Sequence, residues 1–198
     1  MAQVPVYPAS LFFYCDTAPL KGGQTPIVQS DIVYRLAQKA YPEFILKLET
    51  LGVIYTRVIP KKDDPSSPIG RGWINTFGTQ DPLEAQEAAK KLNVTLEWLP
   101  NGDVKTISSV LDAIKVYHPR ASGMGPKKVW FNSVIAAYVG WIDARNDPTR
   151  AVTFGDGSLL DPEAIQGIQK IMQEACVAFD WKDGDVLWID NNQVMHSR

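Results

Sequence analysis

Apolar residues recur at helical spacing over residues 31–40 and 42–51, which predicts two consecutive helices in the first quarter of the chain. Ser30 precedes the first stretch and is its expected N-cap, because a serine hydroxyl can accept a hydrogen bond from a free amide of the first turn. Pro42 and Gly52 flank the second stretch, an arrangement typical of a helix start and a helix end. The expected buried face of the first helix comprises Ile32, Val33, Leu36 and Ala37.

Two further helices are predicted after Asp-Pro pairs, at residues 81–93 and 161–179. In each pair the aspartate can cap the helix and the proline fits its first turn. The second is the longest predicted helix, and apolar residues recur along it at helical spacing. Its apolar positions are Ile165, Ile168, Ile171, Met172 and Ala175.

Short runs rich in β-branched and aromatic residues predict strands. Residues 11–15, LFFYC, predict a strand that is covered on both faces, and a hairpin is expected around Pro100-Asn101-Gly102. The strands and helices do not alternate regularly, so the pattern favours an α+β fold with a β-sandwich or barrel core over a doubly wound sheet. The other predicted strands are residues 53–59, 113–117, 128–132 and 186–190.

Two segments rich in glycine and proline interrupt this pattern. Residues 60–80 contain three prolines and three glycines, which predicts a long irregular loop of the kind that serves as a lid or a binding loop. Gly22 and Gly23 predict a turn or bulge, because glycine tolerates backbone angles that are closed to other residues.

Composition and charge narrow the class of protein. Hydrophobic residues make up 45% of the 198 residues and the net charge is −2, so the chain is predicted to be globular, with no surface for nucleic acid or an anionic membrane. The sequence has no run of 18 apolar residues and no charged-then-apolar leader, which favours a cytoplasmic protein without a membrane partner. Cys15 and Cys176 are far apart in sequence, so buried thiols are favoured over a disulfide.

The candidates for chemistry are two histidines and one threonine. An imidazole can bind a metal or act as a base, and His196 follows a predicted strand, although a surface histidine is the simpler interpretation of that spacing. His118 lies in a predicted loop, where a solvated side chain is the simpler interpretation. Neither belongs to an H-x-D or H-x-E pair. Thr25 follows the paired glycines and either offers its hydroxyl to a carboxylate or simply starts a strand.

Five segments together carry a resemblance to a known family. They are LFFYCDTAPLKGGQTPIVQSDIVY (11–34), DDPSSPIGRGW (63–73), KVWFNS (128–133), RNDPTRAVTFGDG (145–157) and GDVLWIDNNQVMHSR (184–198). In this order they resemble the taurine dioxygenase (TauD/TfdA) family, and most closely its plant clavaminate-synthase-like members. The resemblance extends over essentially the whole chain. It implies an α+β fold with a partial double-stranded β-helix (jelly-roll) core and flanking helices, and it implies Fe(II) and 2-oxoglutarate as cofactors.

The resemblance also implies an activity and the residues that carry it. The expected reaction couples the decarboxylation of 2-oxoglutarate to succinate with the O2-dependent oxidation of an unidentified small molecule. His196 falls on the distal iron-binding histidine of the family. Thr25, in GGQTPI, falls on the threonine that contacts the 2-oxoglutarate carboxylate. Asn132 and Asn191 fall on positions near the pocket.

The sequence departs from the family pattern in two places. The H-x-D/E pair that supplies the other two iron ligands precedes the strand equivalent to residues 11–15, and here the chain begins MAQVPVYPAS. The arginine that binds the far carboxylate of 2-oxoglutarate lies further beyond the distal histidine than Arg198 does. The expectation is therefore one incomplete domain over residues 1–198, truncated at both ends, with weak Fe(II) binding and negligible activity alone. The alternative is a non-catalytic binding or interaction module derived from the same fold.

Overall fold

The computed structural model describes residues 7–67, 69–119, 123 and 125–197. Over this part of the chain it contains seven helices and ten strands, a mixture of helix and sheet as the α+β prediction requires. The helices are α1 (Ser30–Ala40), α2 (Pro42–Leu51), α3 (Trp73–Phe77), α4 (Pro82–Lys91), α5 (Val134–Gly140), α6 (Pro148–Ala151) and α7 (Pro162–Ala175). The strands are β1 (Ser10–Tyr14), β2 (Ile27–Gln29), β3 (Val53–Ile59), β4 (Val94–Trp98), β5 (Val104–Ser108), β6 (Ile114–Tyr117), β7 (Lys127–Trp130), β8 (Val152–Phe154), β9 (Val186–Asp190) and β10 (Val194–His196).

The strands named above pair antiparallel throughout. β4, β5, β3 and β8 form a four-stranded sheet in that order. Three two-stranded ribbons accompany this sheet, formed by β1 with β9, β2 with β10, and β6 with β7. Antiparallel pairing excludes a doubly wound parallel sheet for these strands, whereas the double-stranded β-helix stays a prediction.

The ribbons β1–β9 and β2–β10 join the first part of the described chain to the last. Phe12 lies opposite Trp188 in one ribbon, and Ile27 lies opposite His196 in the other. A turn between Lys182 and Asp185 leads directly into β9. In this turn the amide of Asp185 donates a hydrogen bond to the carbonyl of Lys182. The histidine near the end of the chain is therefore placed by strand pairing.

All four predicted helices are confirmed close to their expected bounds. α2 begins at Pro42 and is followed by Gly52, whose φ of 64° suits a glycine at a helix end. Asp81 caps α4 and Asp161 caps α7, each carboxylate accepting a hydrogen bond from the amide two residues further on. α7 ends at Ala175, before the predicted end. The sequence was sufficient to predict where these helices begin, because a proline and a capping aspartate act within a single turn.

The predicted N-cap of α1 is wrong by one residue, and its predicted buried face is confirmed only for Val33 and Ala37. Gln29 occupies the N-cap position, Ser30 is the first helical residue, and the amide of Ser30 donates a 2.8 Å hydrogen bond to the carbonyl of Gln193. β2 runs directly into α1, so backbone pairing satisfies this amide in place of a side-chain cap. Leu36 is 43% exposed, because the helix turns a different face toward β7 and α7. The buried hydrophobic residues of α1 are Val33, Tyr34 and Ala37.

The prediction that β1 is covered on both faces is also wrong. Phe12 and Tyr14 are 66% and 67% exposed, because β1 pairs with β9 in a ribbon of two strands. Neighbouring side chains of a strand point to opposite faces, and the alternate residues Leu11 and Phe13 are partly buried. On the outer face Phe12 stacks on Trp188, with ring centroids 5.5 Å apart.

The predicted irregular loop at residues 60–80 contains the helix α3. Trp73, at the start of α3, is only 2% exposed, and its indole Nε1 donates a 3.0 Å hydrogen bond to the carbonyl of Gly102. Gly78 ends the helix in the left-handed conformation, with φ of 69°. A buried tryptophan therefore anchors this segment to the β4–β5 hairpin.

The described residues form two hydrophobic clusters. The smaller cluster surrounds Trp73 and includes Ile59, Leu96 and Val104. The larger cluster lies between α1, α2, α5 and α7 and the strands β3, β7 and β8, with Trp130 fully buried within it. None of the helices in the described ranges has the length and hydropathy that a membrane crossing requires.

Gly167, inside α7, allows the phenol of Tyr41 to pack against the helix. A Cβ at Gly167 would overlap the ring and hydroxyl of Tyr41. We expect Gly167→Ala to lower the free energy of unfolding by about 1–3 kcal/mol, since overpacking outweighs the roughly 1 kcal/mol gain in helix propensity. Urea denaturation followed by circular dichroism measures this.

Gly140→Ala is the matched control, because nothing lies within 4 Å of the Cβ position there. It should leave stability unchanged or raise it slightly. Equal stabilities for the two variants would show that Tyr41 does not require a glycine at position 167.

Candidate functional site

A cavity of about 500 Å³ lies where α7, the start of α5, the end of β7 and the β2–β10 ribbon meet. Cavities of this size accommodate small molecules. His196, Asn191 and Asn132 all line it, so strand pairing and packing bring three of the four predicted site residues to one place. The apolar part of its wall includes Leu11, Val28, Trp130, Ile135, Met172 and Met195.

His196 lies on β10, opposite Ile27 of β2. Its ring meets Phe13 edge to face, with centroids 5.0 Å apart. Partial burial lowers the pKa of His196 below its ordinary value of 6.5, which favours the neutral imidazole. A neutral imidazole is the form that binds a metal ion.

The described residues do not by themselves fit a complete iron site. Among them no group of three His, Cys, Asp or Glu side chains is close enough together to hold a metal ion. His118 is exposed and borders a different hollow of about 220 Å³, together with Lys115 and Asp190. The structure therefore separates His118 from the cavity that His196 lines, and it offers His196 as one possible ligand.

Thr25 lies beside the cavity rather than in its wall. Its hydroxyl Oγ1 accepts a 3.1 Å hydrogen bond from the indole Nε1 of Trp181. The next residue, Pro26, does line the cavity, and its carbonyl accepts a 3.1 Å hydrogen bond from the amide of Ser197. Because the hydroxyl is an acceptor toward Trp181, its own proton is left to donate to a ligand.

Asn132 is 8% exposed and its amide group is held by three neighbours. Its Oδ1 accepts hydrogen bonds from the hydroxyl of Tyr55 at 2.8 Å and from the amide of Ser133 at 3.0 Å, and its Nδ2 donates to the carbonyl of Asp112 at 3.2 Å. Burial raises the pKa of Tyr55 well above its ordinary value, so this phenol remains a donor. Asn132 is consequently a brace for the cavity wall.

Asn191 follows β9 and ties the cavity rim to the segment before β1. Its side-chain Nδ2 donates a 2.7 Å hydrogen bond to the carbonyl of Pro8, and its backbone amide donates a 2.9 Å hydrogen bond to the carbonyl of Ala9. The side-chain oxygen of Asn191 is not needed for either contact. This residue can therefore both fix the rim and present an acceptor to a ligand.

Sequence analysis missed the contribution of α7 to the cavity. Gln169, Met172, Gln173 and Cys176 all line the cavity, and their spacing places them along one side of α7 and its C-cap. Both cysteines are free thiols, with Cys15 buried and Cys176 partly buried.

A charged cluster ties the 60–80 segment to the loop before α6. Arg145 Nη2 donates 2.8 Å hydrogen bonds to the carboxylates of Asp64 and Asp143. Asp143 also accepts hydrogen bonds from Ser67 at 2.8 Å and from Asn146 at 2.9 Å. Burial alone would raise the pKa of Asp143, but the hydrogen bonds outweigh it and lower the pKa to about 2. We refer to Asp64, Ser67, Asp143, Arg145 and Asn146 as the Asp143 cluster.

Comparison with known proteins gives this arrangement a context. The sequence profile described as "Taurine catabolism dioxygenase TauD, TfdA family" matches residues 1–198. The chain belongs to the TauD/TfdA family. The resemblance noted from the five segments is thereby confirmed.

Two curated relatives show how close this TauD/TfdA chain is to characterised sequences. It is 50% identical over 198 residues to a clavaminate synthase-like protein of Arabidopsis thaliana, with 100% of this chain and 58% of that protein covered. It is 26% identical over 204 residues to the dapdiamide synthesis protein DdaC of Enterobacter agglomerans, with 98% of this chain and 57% of DdaC covered. The chain thus spans a little over half the length of the curated relatives it matches.

The TauD/TfdA family is associated with one general class of chemistry. Members are typically Fe(II)- and 2-oxoglutarate-dependent oxygenases, and the family implies a small-molecule substrate and O2. The family also implies a double-stranded β-helix core.

Proposed function

We propose that this chain functions in the Fe(II)- and 2-oxoglutarate-dependent oxidation of a small molecule, with His196 as an iron ligand and Thr25 as a hydrogen-bond donor to 2-oxoglutarate. The observation that carries the proposal is that His196 opens onto the 500 Å³ cavity from β10, directly beside the strand that follows Thr25. Bound Fe(II) would supply the decarboxylation of 2-oxoglutarate to succinate together with oxidation of the second substrate.

Each residue has a separate part in this proposal. His196 presents a neutral imidazole on a strand whose position is fixed by pairing. Thr25 keeps a proton to donate to an anionic carboxylate, a charge-assisted hydrogen bond, while Trp181 holds its hydroxyl in place. Asn132 braces the wall through Tyr55.

We also propose that the antiparallel ribbons and the four-stranded sheet belong to a single double-stranded β-helix domain. The support is the pairing of β1 and β2 with β9 and β10, which connects distant parts of the chain as a closed β architecture requires. The helix α1 contacts β2 and β7, α7 contacts β2, and the two helices contact each other. This arrangement is consistent with flanking helices around a β core.

Binding of Fe(II) under anaerobic conditions tests the role of His196. A lone imidazole organises a metal site poorly, so we expect the 198-residue chain to bind Fe(II) weakly and to form negligible succinate from 2-oxoglutarate. His196→Ala should abolish the remaining Fe(II) binding. His118→Ala is the matched control and should leave it unchanged, because His118 lies outside the cavity.

Two results would contradict this proposal. Unchanged Fe(II) binding in His196→Ala would exclude His196 as a ligand. Rapid succinate formation by the 198-residue chain would show that its own residues complete a site that the described side chains do not form.

A non-catalytic binding module is the second candidate. The observation that favours it is a well-formed cavity without a three-ligand metal group among the described side chains. Thermal unfolding separates the two candidates, since a ligand that binds the native state raises Tm. A rise in Tm on adding Fe(II) with 2-oxoglutarate, lost in His196→Ala, favours the oxygenase; a cooperative transition at the same Tm with and without them favours the module.

A further inference from the structure

The wall of the cavity carries no formal charge within the described residues. No Asp, Glu, Lys or Arg lines it. Apart from His196, its polar side chains are amides, hydroxyls and one thiol. Gln169 is partly buried and Gln173 is exposed, so an ionised group at this part of the cavity would lose part of its water and would gain no charged partner there, which disfavours it.

Two of the amides in the wall are free to bind a ligand. Gln169 and Gln173 lie one turn apart on α7 and line the cavity, and neither side chain takes part in a hydrogen bond among those found in the described residues. Asn132 differs, because its amide group is already engaged by Tyr55, Ser133 and Asp112. We call Gln169 and Gln173, with Met172 and Cys176 beside them, the α7 ledge.

A carboxamide both donates and accepts hydrogen bonds. Two carboxamides one helical turn apart lie on the same face of the helix, about 5–6 Å apart at their Cβ atoms. They can therefore hold a ligand group that also has one donor and one acceptor, such as an amide. The apolar wall that includes Trp130 and Met172 would cover the hydrocarbon or aromatic remainder of such a ligand.

We propose that the α7 ledge determines the specificity for the second substrate and selects a neutral molecule that bears an amide or an equivalent donor–acceptor pair, against carboxylates, sulfonates and amines. This inference rests on the proposed oxygenase function for the statement that the ligand is the second substrate. Binding to the ledge itself requires neither Fe(II) nor 2-oxoglutarate. The experiment is therefore carried out without both.

Three probes of similar shape test the proposal on the 198-residue chain at pH 8, where an imidazole is neutral. They are 3-phenylpropanamide, 3-phenylpropanoate and 3-phenylpropylammonium, with binding followed by ligand-observed NMR. We expect the amide to bind about tenfold more tightly than either ion, a difference of about 1.4 kcal/mol. An ion that binds as tightly as the amide, or failure of all three probes to bind, would overturn the proposal.

Variants on α7 then show whether Gln169 and Gln173 cause the preference for the amide probe. Gln169→Leu and Gln173→Leu should each reduce the preference for the amide, and Gln166→Leu is the matched control, since Gln166 is exposed on the same helix and is not part of the cavity wall. Gln173→Glu keeps the size of the side chain and adds a negative charge, so it should make the ammonium probe the tightest of the three. Retention of the amide preference in both leucine variants would overturn the proposal.

The outcome is distinguishable from failure of the oxygenase proposal. Loss of Fe(II) binding in His196→Ala concerns the metal, whereas the probes report on the ledge. Selective binding of the amide together with unchanged Fe(II) binding in His196→Ala would support the proposal for the α7 ledge and contradict the oxygenase proposal. No preference for the amide, together with loss of Fe(II) binding in His196→Ala, would support the oxygenase proposal and contradict the proposal for the α7 ledge.

Discussion

Replacing Trp130 by alanine is expected to lower the free energy of unfolding by about 3–5 kcal/mol. Trp130 is fully buried in the larger hydrophobic cluster, and its indole Nε1 donates a 3.1 Å hydrogen bond to the carbonyl of Asn132. The substitution therefore leaves a large void and an acceptor without its donor. Because domains are stable by only about 5–15 kcal/mol, we expect a large fall in the urea midpoint, measured by circular dichroism.

Trp188→Ala is the matched control for this prediction. The same atoms are removed, but Trp188 is 65% exposed and contacts Phe12 on the outer face of the β1–β9 ribbon. Its loss should cost about 1 kcal/mol or less. Trp130→Phe should fall between the two, since it keeps most of the ring volume and removes the indole donor. Equal losses for the two alanine variants would show that Trp130 does not have the packing role described above.

Replacing Asp143 by asparagine is expected to remove about 2 kcal/mol of stability at pH 7 and to flatten the loss of stability in acid. The hydrogen bonds of the Asp143 cluster lower the pKa of this carboxyl from 3.8 to about 2, and each pH unit corresponds to about 1.4 kcal/mol. A pKa that is lower in the folded state stabilises the protein above pH 3.8. That stability is lost as the pH falls toward 2. The wild-type and variant free energies should therefore converge near pH 2.

Urea denaturation at several values between pH 7 and pH 2.5 measures this convergence. Asp16→Asn is the control, since Asp16 is exposed and surface substitutions change stability by about 0.5 kcal/mol or less. Its curve should run parallel to that of the wild type. A difference between wild type and Asp143→Asn that is as large at pH 2.5 as at pH 7 would contradict the assignment.

The elements that sequence alone identified are those with signals confined to a few neighbouring residues. α4 and α7 start at Asp-Pro pairs whose capping is local, and the β4–β5 hairpin forms around Asn101-Gly102. The turn at Gly22 and Gly23 is confirmed by the positive φ of both residues. The N-cap at Ser30 was wrong because pairing with the segment before β10 replaces a side-chain cap.

The predictions that were wrong share a cause, because each of the structures concerned depends on a partner that is distant in sequence. The apolar run in β1 did not disclose that Phe12 would face outward from a two-stranded ribbon. The 60–80 segment did not disclose that Trp73 would be buried and would start a helix. The short elements α5, α6, β8 and β10 were also missed, because few residues carry their pattern.

The candidate site was predicted in part. His196, Asn132 and Asn191 line one cavity, and Thr25 adjoins it, although their roles toward iron and 2-oxoglutarate stay predictions. The α7 ledge could not be predicted, because the cavity-facing side of a helix depends on how the helix docks.

The pairing of β2 with β10 has a consequence for how the protein acquires its cavity. Val28 lies opposite Met195, so this wall of the cavity forms only after all the elements between β2 and β10 have been synthesised. Contacts between residues so far apart in sequence carry a high entropic cost of closure and slow the folding of β proteins. The wall that contains His196 therefore forms later than contacts between neighbouring elements, and until β9 and β10 are available the strands before α1 lack these partners and are exposed to misassembly.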